Sequence, residues 1–214
     1  MNKDDKNQII ARYQNRVKEN SNNIKALASG TEERRAIRFD VLCEVAGTPG
    51  KLSGATVLDL GCGFADFYQH LKKRGIKVNY TGYDINPDLI AVARKNFPEL
   101  IFEVRDIQET GIQETFDYII CSQTFNNKLV HEDNLALVKI ILKLCLPAIN
   151  KGMVFDFVTA HVDFKEERLY YFSPEELFKY AKSLTKRVTL RHDYPLYEFA
   201  LYLFPDFKGW TSDK

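Results

Sequence analysis

The stretch Thr56-Val57-Leu58-Asp59-Leu60-Gly61-Cys62-Gly63-Phe64-Ala65-Asp66 limits what this chain can fold into more than any other. A short apolar run ends in an acid, passes through Gly-x-Gly and continues with helical spacing. That order predicts a buried strand, a tight loop and a helix opening on its far side. The glycines let backbone approach a ligand where a Cβ would collide. The helix start turns its free N–H groups towards the same place. Such a loop is built to hold a small molecule.

Strand and helix signals alternate on either side of it. Ile9, Ile10, Tyr13 and Val17 share one face of a helix expected from about Asn7 to Glu19, broken by Ser21-Asn22-Asn23. Thr31 is an expected N-cap, with Glu32 and Glu33 in the first turn of a second helix. Its apolar stripe, Ile37, Val41, Leu42 and Val45, has Arg34 and Arg38 within it. A guanidinium on a buried face needs an anion. Both arginines snorkel or pair with structural acids, or one of them meets an anionic ligand group near the glycine loop.

Later strands are expected at about 78–83, 101–104, 116–121, 153–158, 187–192 and 197–204, with helices at about 65–74, 87–96, 132–146 and 173–184. Pro87 after Asn86, and Ser173-Pro174-Glu175-Glu176, mark two helix starts. The short link Asp193-Tyr194-Pro195-Leu196 implies that the last two strands are antiparallel. The pattern predicts a doubly wound α/β fold, a mostly parallel sheet covered on both faces. Residues 1–50 are expected to form an N-terminal helical lid and residues 51–214 the core, a single domain overall. Ligands of such sheets bind beyond the carboxyl ends of the strands. Those ends carry Asp59/Gly61, Asp84, Asp106, Ser122/Gln123 and Thr159/His161.

The 214 residues, 45% of them hydrophobic and 28% charged, suit one soluble domain with a sizeable core. A net charge of +1 gives no general electrostatic case for nucleic acid or membrane. The polar N-terminus has no signal-peptide core, and no apolar run approaches the roughly 18 residues of a membrane span. Cys43, Cys62, Cys121 and Cys145 are widely spaced, as expected of free thiols in a reducing cytoplasm. No metal-ligand cluster stands out.

Asp84 ends the second strand about 20 residues past the glycine loop, where an acid can bond ribose hydroxyls. Asp106 can meet an adenine amino group, and Ile107 can pack on the ring. Together they point to an adenosine-containing cofactor. A dinucleotide site would want glycine at position 66, where this chain has Asp, and an acid there opposes a pyrophosphate. The Gly-Lys-Ser/Thr of a P-loop is absent as well. An adenosine cofactor ending in a cationic sulfonium fits better.

From about Thr31 to Phe204 the chain resembles the class I S-adenosylmethionine-dependent methyltransferases. Val57-Leu58-Asp59-Leu60-Gly61-Cys62-Gly63 matches that family's first motif, and Ala65 stands where many members carry a third glycine. The resemblance implies a seven-stranded, Rossmann-like sheet with an antiparallel last strand, and S-adenosyl-L-homocysteine as the cofactor product. By it Asp84 serves the ribose, Asp106 and Ile107 the adenine, and Asp59, Gly61, Cys62 and Gly63 the methionine moiety. Ile85, Ser122, Gln123 and Arg38 are further candidate cofactor contacts. The segment Gly30–Phe39 and the tail Arg191–Phe199 resemble a subgroup of stand-alone bacterial methyltransferases.

Methyl transfer from a sulfonium is a direct displacement that needs alignment and exclusion of water. Ser-Gln-Thr-Phe-Asn after the fourth strand is not the Asn/Asp-Pro-Pro-Tyr/Phe that grips a planar amine. His131 and His161 are the candidate bases, each equally readable as a solvated loop histidine. Tyr13, Arg34, Phe125 and Asn126 are the candidate acceptor contacts. The expected reaction is O- or N-methylation of a small, acidic metabolite by a monomer or homodimer. The alternatives are a protein or RNA acceptor, or a non-catalytic adenosine-binding module using the Trp210 tail as an interaction surface.

Overall fold

The computed structural model describes residues 1–19 and 30–207. The expected break at Ser21-Asn22-Asn23, the side chain of Val17 and the Trp210 tail lie outside the described residues. Helices α1 (Lys3–Glu19) and α2 (Glu32–Cys43) precede the sheet. The chain then runs β1 (Thr56–Leu60), α3 (Asp66–Lys73), β2 (Asn79–Asp84), α4 (Pro87–Asn96), β3 (Ile101–Val104), α5 (Ile107–Thr110) and β4 (Phe116–Cys121). It ends with α6 (Asn134–Cys145), β5 (Ile149–Val158), α7 (Pro174–Leu184), β6 (Arg187–Arg191) and β7 (Glu198–Phe204).

The strands form one sheet in the order β3-β2-β1-β4-β5-β7-β6, parallel except where β7 runs against both β5 and β6. The expected doubly wound sheet with an antiparallel last strand is the fold found. One core places Leu42, Phe67, Leu71 and Ile90 against one face, and a second places Leu137, Ile141, Leu142 and Leu177 against the other. Burial on both faces explains why β1 is buried from Val57 to Leu60 without alternation.

Local chemistry starts the helices. Thr31 accepts from the Arg34 N–H, Asn86 from Asp88 and Leu89, and Ser173 from Glu176, as their sequences predict. Two features differ. Asp106, expected as a bare strand-end acid, caps the short α5 by accepting from the Gln108 N–H. Arg34 is exposed, whereas Arg35 and Arg38 are the buried arginines of α2. Of residues 1–50, α1 lies over the strand ends, while α2 packs Val41, Leu42 and Cys43 into the first core.

Candidate active site

The sheet order reverses between β1 and β4, and a cavity opens beyond the carboxyl ends of β2, β1 and β4. Asp59, Gly61, Cys62, Gly63, Asp84, Ile85, Asp106, Ile107, Ser122 and Gln123 all line it. Residues separated by dozens of positions are thus brought to one place by the parallel topology.

The loop after β1 is held tightly. The N–H groups of Gly61 and Cys62 both donate to the Tyr83 carbonyl, at 2.7 and 3.0 Å. Gly61 sits at φ +79°, and a Cβ there would lie 2.2 Å from Thr124 Oγ1. Thr124 Oγ1 in turn donates to the Leu60 carbonyl at 3.1 Å, tying the loops after β4 and β1 together. Ala65, next in the loop, is left-handed at φ +65° and fully buried. The third glycine's place thus demands a glycine-like backbone that alanine supplies under strain.

Four carboxylates reach the cavity, each in its own setting. Asp84 accepts the Gly63 N–H at 3.0 Å on one oxygen and the Asn86 N–H at 2.9 Å on the other. Each oxygen keeps a lone pair for a further donor. Burial raises its pKa, partly offset by those amides. Asp59 accepts the Tyr80 hydroxyl at 2.5 Å. Burial pushes its pKa up to about 7, against that hydrogen bond and with help from Asp84 and Asp66. Asp106 caps α5 and has Lys6 Nζ of α1 2.9 Å from its second oxygen. Asp66 has a buried oxygen with no hydrogen-bond partner among the described residues. Burial raises its pKa, and Arg35 and Lys73 pull it back in part.

The arginines on the cavity wall are already paired. Arg38, expected to contact the cofactor, is instead buried against Glu198, with Nε–Oε2 at 2.7 Å and Nη2–Oε1 at 2.5 Å. A fork-to-fork pair of this kind is a structural lock between α2 and β7. Arg105 donates to the Tyr83 hydroxyl at 2.6 Å and pairs with Glu114 at 3.1 Å. Arg34, expected at the acceptor, points to solvent and does not line the cavity. The acids therefore dominate the wall, and a ligand with a cationic end suits it.

Helix α1 covers the cavity with Ile9 and Tyr13. Buried Asp5 accepts the Val130 N–H at 2.9 Å, Arg12 donates to Asn127 Oδ1 at 2.7 Å, and Asn127 Nδ2 donates to the Tyr13 hydroxyl at 3.2 Å. Phe125, a candidate acceptor contact, lines the cavity. Asn126 does not, being buried behind it with its amide given to Gln123 and to the Val158 N–H. Neither candidate base reaches the cavity. His131 is exposed, its backbone N–H bound by Asp5, and His161 pairs with Glu175 at 2.7 Å on an exposed surface. Both placements follow from loops that turn outward once their backbones are tied down.

Sequence reasoning missed Thr124, Asp156 and Glu198. Asp156 lies inside β5 with no motif around it, and Glu198 opens β7 within the Arg191–Phe199 tail, to which the sequence attaches no role; strand pairing brings both behind the loop after β4. An acid in an otherwise apolar strand was the available signal for Asp156.

Residues 51–184 match a family described as a methyltransferase domain. The chain is also 34% identical, over 68% of its own length and 90% of the relative's, to a Mycobacterium tuberculosis protein named as a methyltransferase. This chain belongs to the class I S-adenosylmethionine-dependent methyltransferases. A malonyl-[acyl-carrier protein] O-methyltransferase of Bacillus anthracis is 35% identical over 34% of this chain and 28% of that one. Two solved structures share the fold. One is the magnesium protoporphyrin IX methyltransferase of Synechocystis with bound S-adenosylmethionine (TM-score 0.66, 15% identity, 94% of this chain and 97% of that one). The other is a plantazolicin methyltransferase with a substrate analogue and S-adenosylhomocysteine (TM-score 0.65, 14% identity, 96% and 98%).

S-adenosylmethionine is the methyltransferase's cofactor, and the cavity fits it on two observations. Asp66 keeps a buried oxygen with no hydrogen-bond partner among the described residues, and the wall's four carboxylates outnumber its two ion-paired arginines. Cys62 Sγ is buried and its pKa is pushed up by that burial, so the thiol is a packing group, not a nucleophile. Among the described residues no helix is long and apolar enough to cross a membrane.

Proposed function

We propose that this methyltransferase acts on an oxygen or nitrogen of a small, largely apolar and uncharged acceptor held beneath α1. The supporting observation is the wall left over once the glycine loop and the acids are given to the cofactor: it includes Ile9, Tyr13, Phe125, Leu129 and Leu137. The amides of Asn127 and Asn134 beside them are already bonded within the protein. The acidic acceptor expected from the sequence rested on Arg34 and Arg38. With Arg34 in solvent and Arg38 locked to Glu198, that expectation loses its basis.

In this reading Asp84 accepts from the ribose hydroxyls through its remaining lone pairs, and Ile107 packs on the adenine beside Asp106. The backbone of Gly61 to Gly63 seats the methionine portion, and Asp66 faces its cationic groups. When bound, S-adenosylmethionine supplies an electrophilic methyl group on a positively charged sulfur. The chain's own part is to orient and to exclude water: Tyr13 and Phe125 position the acceptor, and α1 closes over it as a lid. No histidine of the described residues is assigned as a base.

The test is methyl transfer from labelled S-adenosylmethionine to a panel of neutral phenols and aromatic amines, matched carboxylic acids, total RNA and total protein. Faster transfer to the neutral compounds is expected. Label confined to the acids, to RNA or to protein refutes the acceptor class.

A further inference from the structure

The loop after β4 forms the cavity wall with Ser122 and Gln123, yet their side-chain polar atoms bond to Asp156 and Asn126, neither of which lines the cavity. Gln123 is one of two non-glycine residues among those described with a positive φ, at +56°. A side chain with a Cβ disfavours that backbone, so something must hold it there. Asp156 of β5 does so. One carboxylate oxygen accepts both the Gln123 N–H at 2.6 Å and Gln123 Nε2 at 2.9 Å. The other accepts Ser122 Oγ at 2.9 Å.

The far end of the Gln123 amide is tied as well. Its Oε1 accepts Asn126 Nδ2 at 2.8 Å, and Asn126 Oδ1 accepts the Val158 N–H of β5 at 3.1 Å. Behind Asp156 stand Glu198 and Arg38, whose Nε is 3.8 Å from the second Asp156 oxygen. The Asp156 side chain is wholly buried. A buried carboxylate needs donors, and this one takes three from two consecutive residues of the wall.

We infer that Asp156 is a positioning residue for the cofactor. It holds Ser122 and Gln123 in the one conformation that leaves their side of the cavity open, without touching the ligand itself. Arg38 and Glu198 fix the carboxylate from behind, linking α2 and β7 to the shape of the wall. The inference rests on the reading that this cavity holds the cofactor.

The experiment measures S-adenosylhomocysteine affinity by calorimetry well below the melting temperature, beside the wild type. Asp156→Ala frees three donors and lets Gln123 relax, so affinity is expected to fall at least about tenfold. Asp156→Asn keeps an acceptor for Gln123, and its amide can donate to a reoriented Ser122 hydroxyl. Affinity within about threefold of wild type is expected from it. An acid serving only stability would lower the melting temperature in Asp156→Ala and leave affinity unchanged, which overturns the inference. Equal losses from Asn and Ala overturn it too, by assigning the effect to charge. Should Asp156→Ala not fold, Asn126→Ala unties the other end of the Gln123 amide from outside the cavity. A several-fold weaker affinity supports the inference, and an unchanged one overturns it. Asp84→Ala is the control: if it and Asp156→Ala both leave affinity unchanged, the reading of the cavity itself fails.

Discussion

Gly61 offers the sharpest test of how the site is built. Adding a single methyl group there as Gly61→Ala places a Cβ 2.2 Å from Thr124 Oγ1, 2.6 Å from Cγ2 and 2.9 Å from Cβ. None of these separations is tolerable, so Thr124 must move. Its hydroxyl then leaves the Leu60 carbonyl it now bonds at 3.1 Å. Three contributions add. The left-handed backbone at φ +79° costs an alanine about 1–2 kcal/mol. Overpacking costs about 1–3 kcal/mol, and the broken hydrogen bond about 0.5–1.5 kcal/mol. A loss of about 2.5–6.5 kcal/mol follows, which for a domain of this size lowers the melting temperature by roughly 5–26 °C.

The assay is thermal unfolding with and without S-adenosylhomocysteine, read as a double-mutant cycle with Thr124→Gly. Glycine at 124 removes all three clashing atoms, whereas alanine would leave its Cβ at 2.9 Å. The double variant should therefore recover the steric part and keep the backbone strain, and the hydroxyl bond, lost in both single variants, adds to the coupling, which comes to about 1.5–4.5 kcal/mol. A Gly61→Ala protein melting within a few degrees of wild type, or strictly additive variants, would refute the close approach of the two loops.

Three further outcomes are expected. Arg38→Ala strands Glu198 and should cost about 3–5 kcal/mol of stability, most of it recovered by pairing Arg38→Met with Glu198→Leu. Lost cofactor affinity at an unchanged melting temperature would return Arg38 to the ligand. Asp59, with a folded pKa of about 7 against an ordinary value of 3.8, binds its proton more tightly folded than unfolded. Its contribution is fully present below pH 4 and is lost as pH rises through 7, so Asp59→Asn should flatten the stability profile of the free protein across that window. An unaltered slope would show that Asp59 is ionised throughout. Asp66→Asn should weaken S-adenosylhomocysteine several-fold and leave 5′-methylthioadenosine, which lacks the amino-acid end, unaffected. Calorimetry showing equal losses for both would remove Asp66 from the cationic end.

The parts of the molecule that follow from local chemistry were legible in the sequence. A strand buried on both faces, a glycine turn and a capped helix each carry their signal within a few residues, so β1, α4 and α7 fall where expected. The strand-end acids were legible because parallel topology gathers all carboxyl ends on one side. Partners across the sheet were not. Helical periodicity put Arg34 and Arg38 on one stripe, but rotation by a single residue decides between solvent and core, and packing on α3 buried Arg35 instead. What Arg38 meets depends on β7 lying antiparallel to β5, where Glu198 pairs with Val158 and Ala200 with Asp156. A register between strands some 40 positions apart leaves no mark on either segment alone. The parallel β4–β5 pairing likewise hides Asp156, an acid inside a strand whose partners, Ser122 and Gln123, lie in the loop after β4. The glycine loop thus announces the cofactor in one short stretch, whereas the wall opposite it, the loop after β4, is held from behind by residues of β5, β7 and α2. Substitutions that alter cavity shape without touching a motif should therefore concentrate in those four elements.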